Sequence, residues 1–245
     1  MIKRLVLSLL GVALIALLLS QLWYLGQVLA LRADNPASSA YMQRALAQGA
    51  VNQQWRDYSD INDSLKRAVL VAEDSGFMRH RGFEWAGIRH AWRENRKAGK
   101  AVVGGSTLSQ QLAKNLFLSG QRSYLRKLQE ASITVMLELT LSKERILELY
   151  LNVAQWGHQI YGAEAAAQHY YQVSASQLNP RQASKLAAKL PRPNVYHFQG
   201  PSDYLRERAD WIEAQLHLVA IPSPRPWPAP IDSGKPADDA LENPQ

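Results

Sequence analysis

The sequence predicts a mainly α-helical domain carried behind one membrane-spanning helix. Three observations predict it. An uncharged apolar run lies near the N-terminus. Apolar residues recur at helical spacing from about Tyr58 to Leu218, with few period-two alternations. Capping residues stand at the heads of several of those periodic stretches. The chain has 245 residues, 47% of them hydrophobic, which suffices for one sizeable core.

The first element is LVLSLLGVALIALLLSQLWYLGQVLAL, from Leu5 to Leu31, with no charge in it. As a helix rising ~1.5 Å per residue, its first ~20 residues cover the ~30 Å hydrocarbon core. Trp23 and Tyr24 then fall at the interface, where amphipathic rings are favoured. Lys3, Arg4 and the free N-terminus put the N-terminus inside, against the weaker opposing pull of Arg32. A cleaved signal peptide is the alternative, but its apolar core is usually only ~7–15 residues long.

The polar, alanine-rich stretch 32–53 reads as a juxtamembrane helix or connector, with the connector taken to 57. Ala68–Ala72 is a short buried segment that periodicity assigns to neither helix nor strand. Ser106 is a candidate cap for a helix to about Leu118, and a further helix runs from about Tyr124 to Leu139. Ser142 caps Lys143–Val153, whose apolar face holds Leu147, Tyr150, Leu151 and Ala154. Asn179-Pro180 is a cap followed by proline at the first helical position, with the helix stopping before Pro191. The last helix covers about Ser202–Val219. From 221 onward, prolines at 222, 224, 226, 228 and 230 disfavour helix or ladder formation and predict an extended tail, disordered or, as the alternative, a partner-binding ligand.

Charge and cysteine content narrow the function. The net charge of +7 suggests an acidic partner: nucleic acid, an anionic membrane surface or a phosphate-bearing substrate. A domain anchored outside the cytoplasmic membrane leaves nucleic acid aside. The absence of cysteine excludes disulfides and thiolate metal sites.

Three stretches carry chemistry. Glu73-Asp74 ends an apolar run and is either an ordinary helix terminus or, where partial desolvation raises a carboxyl pKa, a general base, with His80 within reach of the same turn. GGSTLSQQLAKNLF (residues 104–117) is either a flexible linker and an ordinary capped helix, or a site where Gly104-Gly105 let the backbone approach a ligand and the helix start offers N–H groups to an anion or sugar. Thr107, Gln111 and Lys114 share one face of that helix. Arg126 and Lys127 lie four and three residues before Glu130, as a surface ion-pair cluster or as a carboxylate among phosphate-handling cations. A fourth stretch, 86–103, is rich in Arg and Lys, and is either a basic mobile flap near phospholipid headgroups or a solvated charge run.

Taken together and in order, these stretches resemble the monofunctional biosynthetic peptidoglycan glycosyltransferases, glycosyltransferase family 51. The matching segments are EDSGFMRHRGFEW, GGSTLSQQLAKNLFLS, RKLQEASITVMLE, SKERILELYLNVAQWG and IYGAEAAAQHYY. The resemblance covers roughly residues 58–193 plus the anchor, and five ordered motifs make it specific. It implies a lysozyme-like helical domain over 58–220 with a small membrane-proximal lobe. It also implies polymerisation of lipid II into glycan strands with inversion at the donor's anomeric carbon. Glu73 matches the base that takes the acceptor 4-hydroxyl proton. Glu130 matches the second carboxylate, which assists diphosphate departure directly, through neighbouring cations or through a bound Mg²⁺ or Mn²⁺. Asp74, Phe77, His80, Thr107, Gln111, Lys114, Asn115, Arg126 and Lys127 match substrate-binding positions. No organic cofactor is implied. Implied partners are lipid II, the growing strand, the membrane, and cell-wall synthesis or division proteins. The implied location is the bacterial inner membrane, with residues 1–31 as cytoplasmic stub and anchor and the catalytic domain periplasmic. The chain departs from the family pattern at Glu84, Gln155 and Tyr171, and it contains no Ser-x-x-Lys of a transpeptidase. Two other readings are a glycan-cleaving enzyme of lysozyme-like fold and an inactive anchored scaffold. The cations argue against the first and the presence of both glutamates against the second.

Overall fold

The computed structural model describes residues 1–100, 104–121, 123–200 and 202–223. The proline-rich stretch expected to be extended therefore lies almost wholly outside the described residues, as do 101–103 of the basic segment.

Helix α1, Ile2–Ala30, is exposed along most of its length and is long and apolar enough to cross a membrane, with mean hydropathy 2.5 in its most apolar window. The connector 32–57 contains the helix that is one of its two readings. It carries α2, Ala40–Leu46, and β1, Asn52–Gln53. The Ala68–Ala72 segment resolves as part of α3, Asp63–Glu73, capped by Asn62 and burying Leu65, Ala68, Val69 and Leu70. The basic stretch forms α4, Trp85–Ala98, closed by Gly99 in the left-handed conformation. Glu84 caps it by accepting from the Ala86 amide, at 3.1 Å, so the departure at Glu84 is a residue that still starts this helix.

Helices α5, Leu108–Phe117, α6, Tyr124–Thr140, and α7, Lys143–Val153, follow in close succession. Ser142 caps α7 as expected, but the cap of α5 is Thr107 and not Ser106. Thr107 wins because Gln110 stands three residues on and returns a hydrogen bond to the Thr107 amide, completing a reciprocal capping box. Strands β2, Gln155–Gly157, and β3, Ile160–Tyr161, join β1 in a small sheet ordered β1-β3-β2, with β1 parallel and β2 antiparallel to β3. Helices α8, Ala163–Tyr171, α9, Pro180–Lys189, α10, Pro193–Gln199, and α11, Asp203–Gln215, complete the domain.

The core gathers α3, α5, α7, α8 and α9, with Ile146, Leu147, Tyr150, Leu151 and Trp156 buried at its centre. A run of alanines on α8 lets neighbouring backbones approach closely. Two buried polar side chains stitch the 52–57 strand and loop to this core. Asn152 accepts from the Arg56 amide and donates to the Arg56 carbonyl, both at 2.8 Å. Glu164 accepts from Arg56, Ser174, Gln168 and the Ala175 amide. Burial alone would raise the Glu164 pKa, but these donors together hold it down at about 2.

Candidate active site

Glu73 at the end of α3 and Glu130 on α6 both approach the α5 face that carries Gln111 and Lys114. Glu73 is the last residue of α3. One of its oxygens accepts from the Gln111 carboxamide at 2.8 Å, while the other is buried with no partner among the described residues. Burial pushes its pKa up from 4.5, with Gln111, Arg208 and Lys114 pulling the other way and Asp74 adding a smaller upward push. Gln111 is itself steered, because the Tyr150 hydroxyl donates to its carbonyl oxygen at 3.1 Å and so turns the amide toward Glu73. Gln111, Tyr150, Lys114 and Asn115 line a cavity of about 200 Å³, closed on other sides by Tyr41 and Pro193. Gln155 also lines it and bonds Asn194 at 2.8 Å.

Glu130 is in a different situation. It is 2% exposed, and its two oxygens are taken by the Arg126 guanidinium, at 2.9 Å, and by the Lys127 ammonium. This buried carboxylate is therefore no surface ion pair, although Lys127 itself stays half exposed. Between the two carboxylates stands Lys114, which makes no ion pair among the described residues. Burial lowers its pKa from 10.5, Arg126 and Lys127 lower it further, and Glu130 and Glu73 oppose them. Three cations around one carboxylate leave a surplus of positive charge that an anionic ligand would relieve.

The remaining expected site residues serve the frame and do not line the cavity. Asp74 accepts from His80 Nε2 at 2.9 Å and from the Leu108 amide at 2.9 Å. The Gly82 amide donates to His80 Nδ1, which assigns the proton to Nε2. Thr107 donates to the Gly82 carbonyl at 2.7 Å and is 2% exposed. Phe77 is buried beneath the Lys143 ammonium. These bonds overturn one expectation from the sequence. The start of α5 is not open to a ligand anion, because the Asp74 carboxylate already occupies that place and Thr107 takes the Gln110 amide. Gly105 likewise lacks a Cβ for packing, since one would lie 3.1 Å from Ala91 and 3.3 Å from the Ile88 backbone.

A divalent ion at Glu130 does not fit the residues present. Both carboxylate oxygens are held by cations, and no group of three metal-ligating side chains converges among the described residues.

Sequence reading missed Tyr150 and Arg208. Tyr150 sits on an apolar face and reads as core; its hydroxyl was the signal. Arg208 comes from α11 and donates to the Ala72 carbonyl beside Glu73, at 3.2 Å, a placement no local pattern announces.

A helical domain behind one long apolar helix, with a desolvated carboxylate beside a cluster of cations, suits the class of glycosyltransferases. The comparisons agree with that class. The family model described as transglycosylase matches residues 39–217. The biosynthetic peptidoglycan transglycosylase of Alcanivorax borkumensis is 63% identical, over 93% of each chain. Its namesake in Methylobacillus flagellatus is 48% identical over 91% of this chain and all of that one, and the one in Laribacter hongkongensis 47% over 86% and 96%. The chain belongs to the transglycosylase family, and its helical domain is the lysozyme-like one of that family.

Proposed function

We infer that this chain polymerises lipid II into peptidoglycan strands, as a monofunctional enzyme. The observation that carries the mechanism is the Glu73 carboxylate, desolvated, steered by Gln111 and left with one unpartnered oxygen. The Glu73 carboxylate takes the proton of the acceptor 4-hydroxyl. The hydroxyl oxygen forms its bond to the donor's anomeric carbon as the bond from that carbon to the diphosphate breaks, and a single displacement inverts the centre. The leaving diphosphate needs charge stabilisation more than protonation. Lys114, Arg126 and Lys127 supply it, and Glu130 holds the last two in place. A glycan-cleaving enzyme would instead need an acid to protonate a sugar oxygen, and it would have no use for three cations.

The anchor confines enzyme and lipid-linked substrate to one surface, which raises their effective concentration. Lys3 and Arg4 support an N-terminus in the cytoplasm and a catalytic domain on the outer face of the inner membrane. Exposed Tyr124, Leu125, Leu128 and Leu139 on α6 give the domain an apolar side toward that membrane. The test is polymerisation of purified lipid II by the full chain. Glycan strands from the wild type and none from Glu73→Gln are expected; undiminished strands from Glu73→Gln would remove the base.

A further inference from the structure

Helix α1 contains few polar side chains. Ser8 and Ser20 return their hydroxyl protons to carbonyls of their own helix, at Arg4 and Leu17. Gln21 bonds across to another helix. Its amide donates to the Gln129 carbonyl oxygen at 2.9 Å, and the Gln129 amide donates back at 3.3 Å. Ser132, one turn further along α6, donates to the same Gln21 oxygen at 2.7 Å. A carboxamide within the outer part of a membrane-spanning helix is costly unless bonded, and here three bonds to one neighbouring helix satisfy it.

Gln129 is the residue before Glu130, and α6 also carries Arg126 and Lys127. We propose that Gln21 is a positioning residue for the transfer reaction: it locks α6 in rotation and height against the anchor, so that the α6 cations meet the donor diphosphate opposite Lys114. The anchor is then a structural part of the donor side and not an exchangeable tether. This rests on the reading that the α6 cations bind the diphosphate. A shorter or apolar side chain at 21 leaves α6 attached through α5 but free to roll, because reciprocal amide bonds set an orientation and apolar contact sets only a distance.

The experiment uses the full chain in phospholipid nanodiscs, with a preformed lipid-linked oligosaccharide as donor at fixed acceptor. Gln21→Leu, Gln129→Leu and the double variant are compared with Lys127→Met and with Leu18→Ala, an exposed anchor position one turn before Gln21. Leucine keeps the volume and raises the apolarity of the anchor, so membrane residence is retained. Each single Gln→Leu variant is expected to raise the donor KM by about threefold to tenfold, the scale of an interhelical hydrogen bond in a membrane, with kcat within about twofold. The double variant should be no worse than either single one. Unchanged donor KM in both single variants overturns the lock. So does an additive double variant, an equal effect from Leu18→Ala, or a fall in kcat alone accompanied by a lowered unfolding midpoint. The Lys127→Met arm separates the two claims. If it raises donor KM and Gln21→Leu does not, the lock fails and the diphosphate reading stands. If Gln21→Leu raises it and Lys127→Met does not, the diphosphate reading fails while the lock stands.

Discussion

Glu73 and Glu130 are one residue type in two environments that treat it in opposite ways. Glu73 has one hydrogen bond from a neutral amide, one oxygen without a partner, and a pKa raised by burial. Glu130 is buried too, yet each of its oxygens is met by a cation. The first carboxylate is kept short of partners, so it takes up a proton readily. The second is saturated with charged donors, so it holds two cations in place and has neither oxygen left over. The role of a glutamate here follows from the number and charge of its donors, not from its depth.

Substitutions test that contrast, and the largest effect belongs to the under-bonded partner. Glu73→Gln should lower kcat by about 10³-fold or more, the scale of a lost general base. The same variant should raise the unfolding midpoint by ~2–4 °C at neutral pH, because a desolvated charge is removed. The sign follows from the raised pKa: Glu73 contributes stability below its unfolded pKa, and that contribution is lost as pH rises through the folded value. Scanning calorimetry beside a strand-synthesis assay reads both effects, and a destabilised Glu73→Gln would break the account. Next, Lys114→Met should cost about 10²-fold in kcat/KM, typical of one missing charge-stabilising donor. A loss confined to the acceptor KM would move Lys114 away from the diphosphate.

Glu130→Gln should cost about 10-fold to 100-fold, because a neutral amide no longer fixes both Arg126 and Lys127. Wild-type turnover in this variant would reduce Glu130 to a structural ion pair. The smallest effect is the most diagnostic. Gln111→Met removes the hydrogen bond that lowers the Glu73 pKa, so the acidic limb of the pH–rate profile should move to higher pH. Tyr150→Phe should shift it in the same direction by less, since the phenol acts only through Gln111. A limb that stays in place in both variants would detach this pair from the base.

Much of this was legible in the sequence because local chemistry decided it. Caps at Ser142 and Asn179, the i, i+3/i+4 charges at 126, 127 and 130, and the carboxylate ending an apolar run are all short-range patterns. What escaped depends on chain segments far apart in sequence. That Asp74 would fill the start of α5 requires knowing that residues 74 and 108 meet. Tyr150 and Arg208 reach the base from α7 and α11, and Gln21 reaches α6 across more than a hundred residues. The cap of α5 was displaced by one residue because Ser106 and Thr107 are alike as caps, and only Gln110 separates them.

The turn at Gly82 has a consequence for motion. Its φ of +86° is one that glycine tolerates, and a Cβ there would come within 2.8 Å of Thr134 on α6 and 3.1 Å of Glu138. Its carbonyl receives Thr107 from the head of α5. Three parts of the chain thus meet within one atom's width, and the helices carrying Gln111, Lys114 and Glu130 cannot slide past one another there. Helix α4 lies just beyond that point with Ala91 as its one buried residue. Local opening is cheap where few apolar contacts are lost. Amide exchange in α4 should therefore run far ahead of exchange in α5 and α6. Helix α4 can breathe while the spacing of Gln111, Lys114 and Glu130 stays constant.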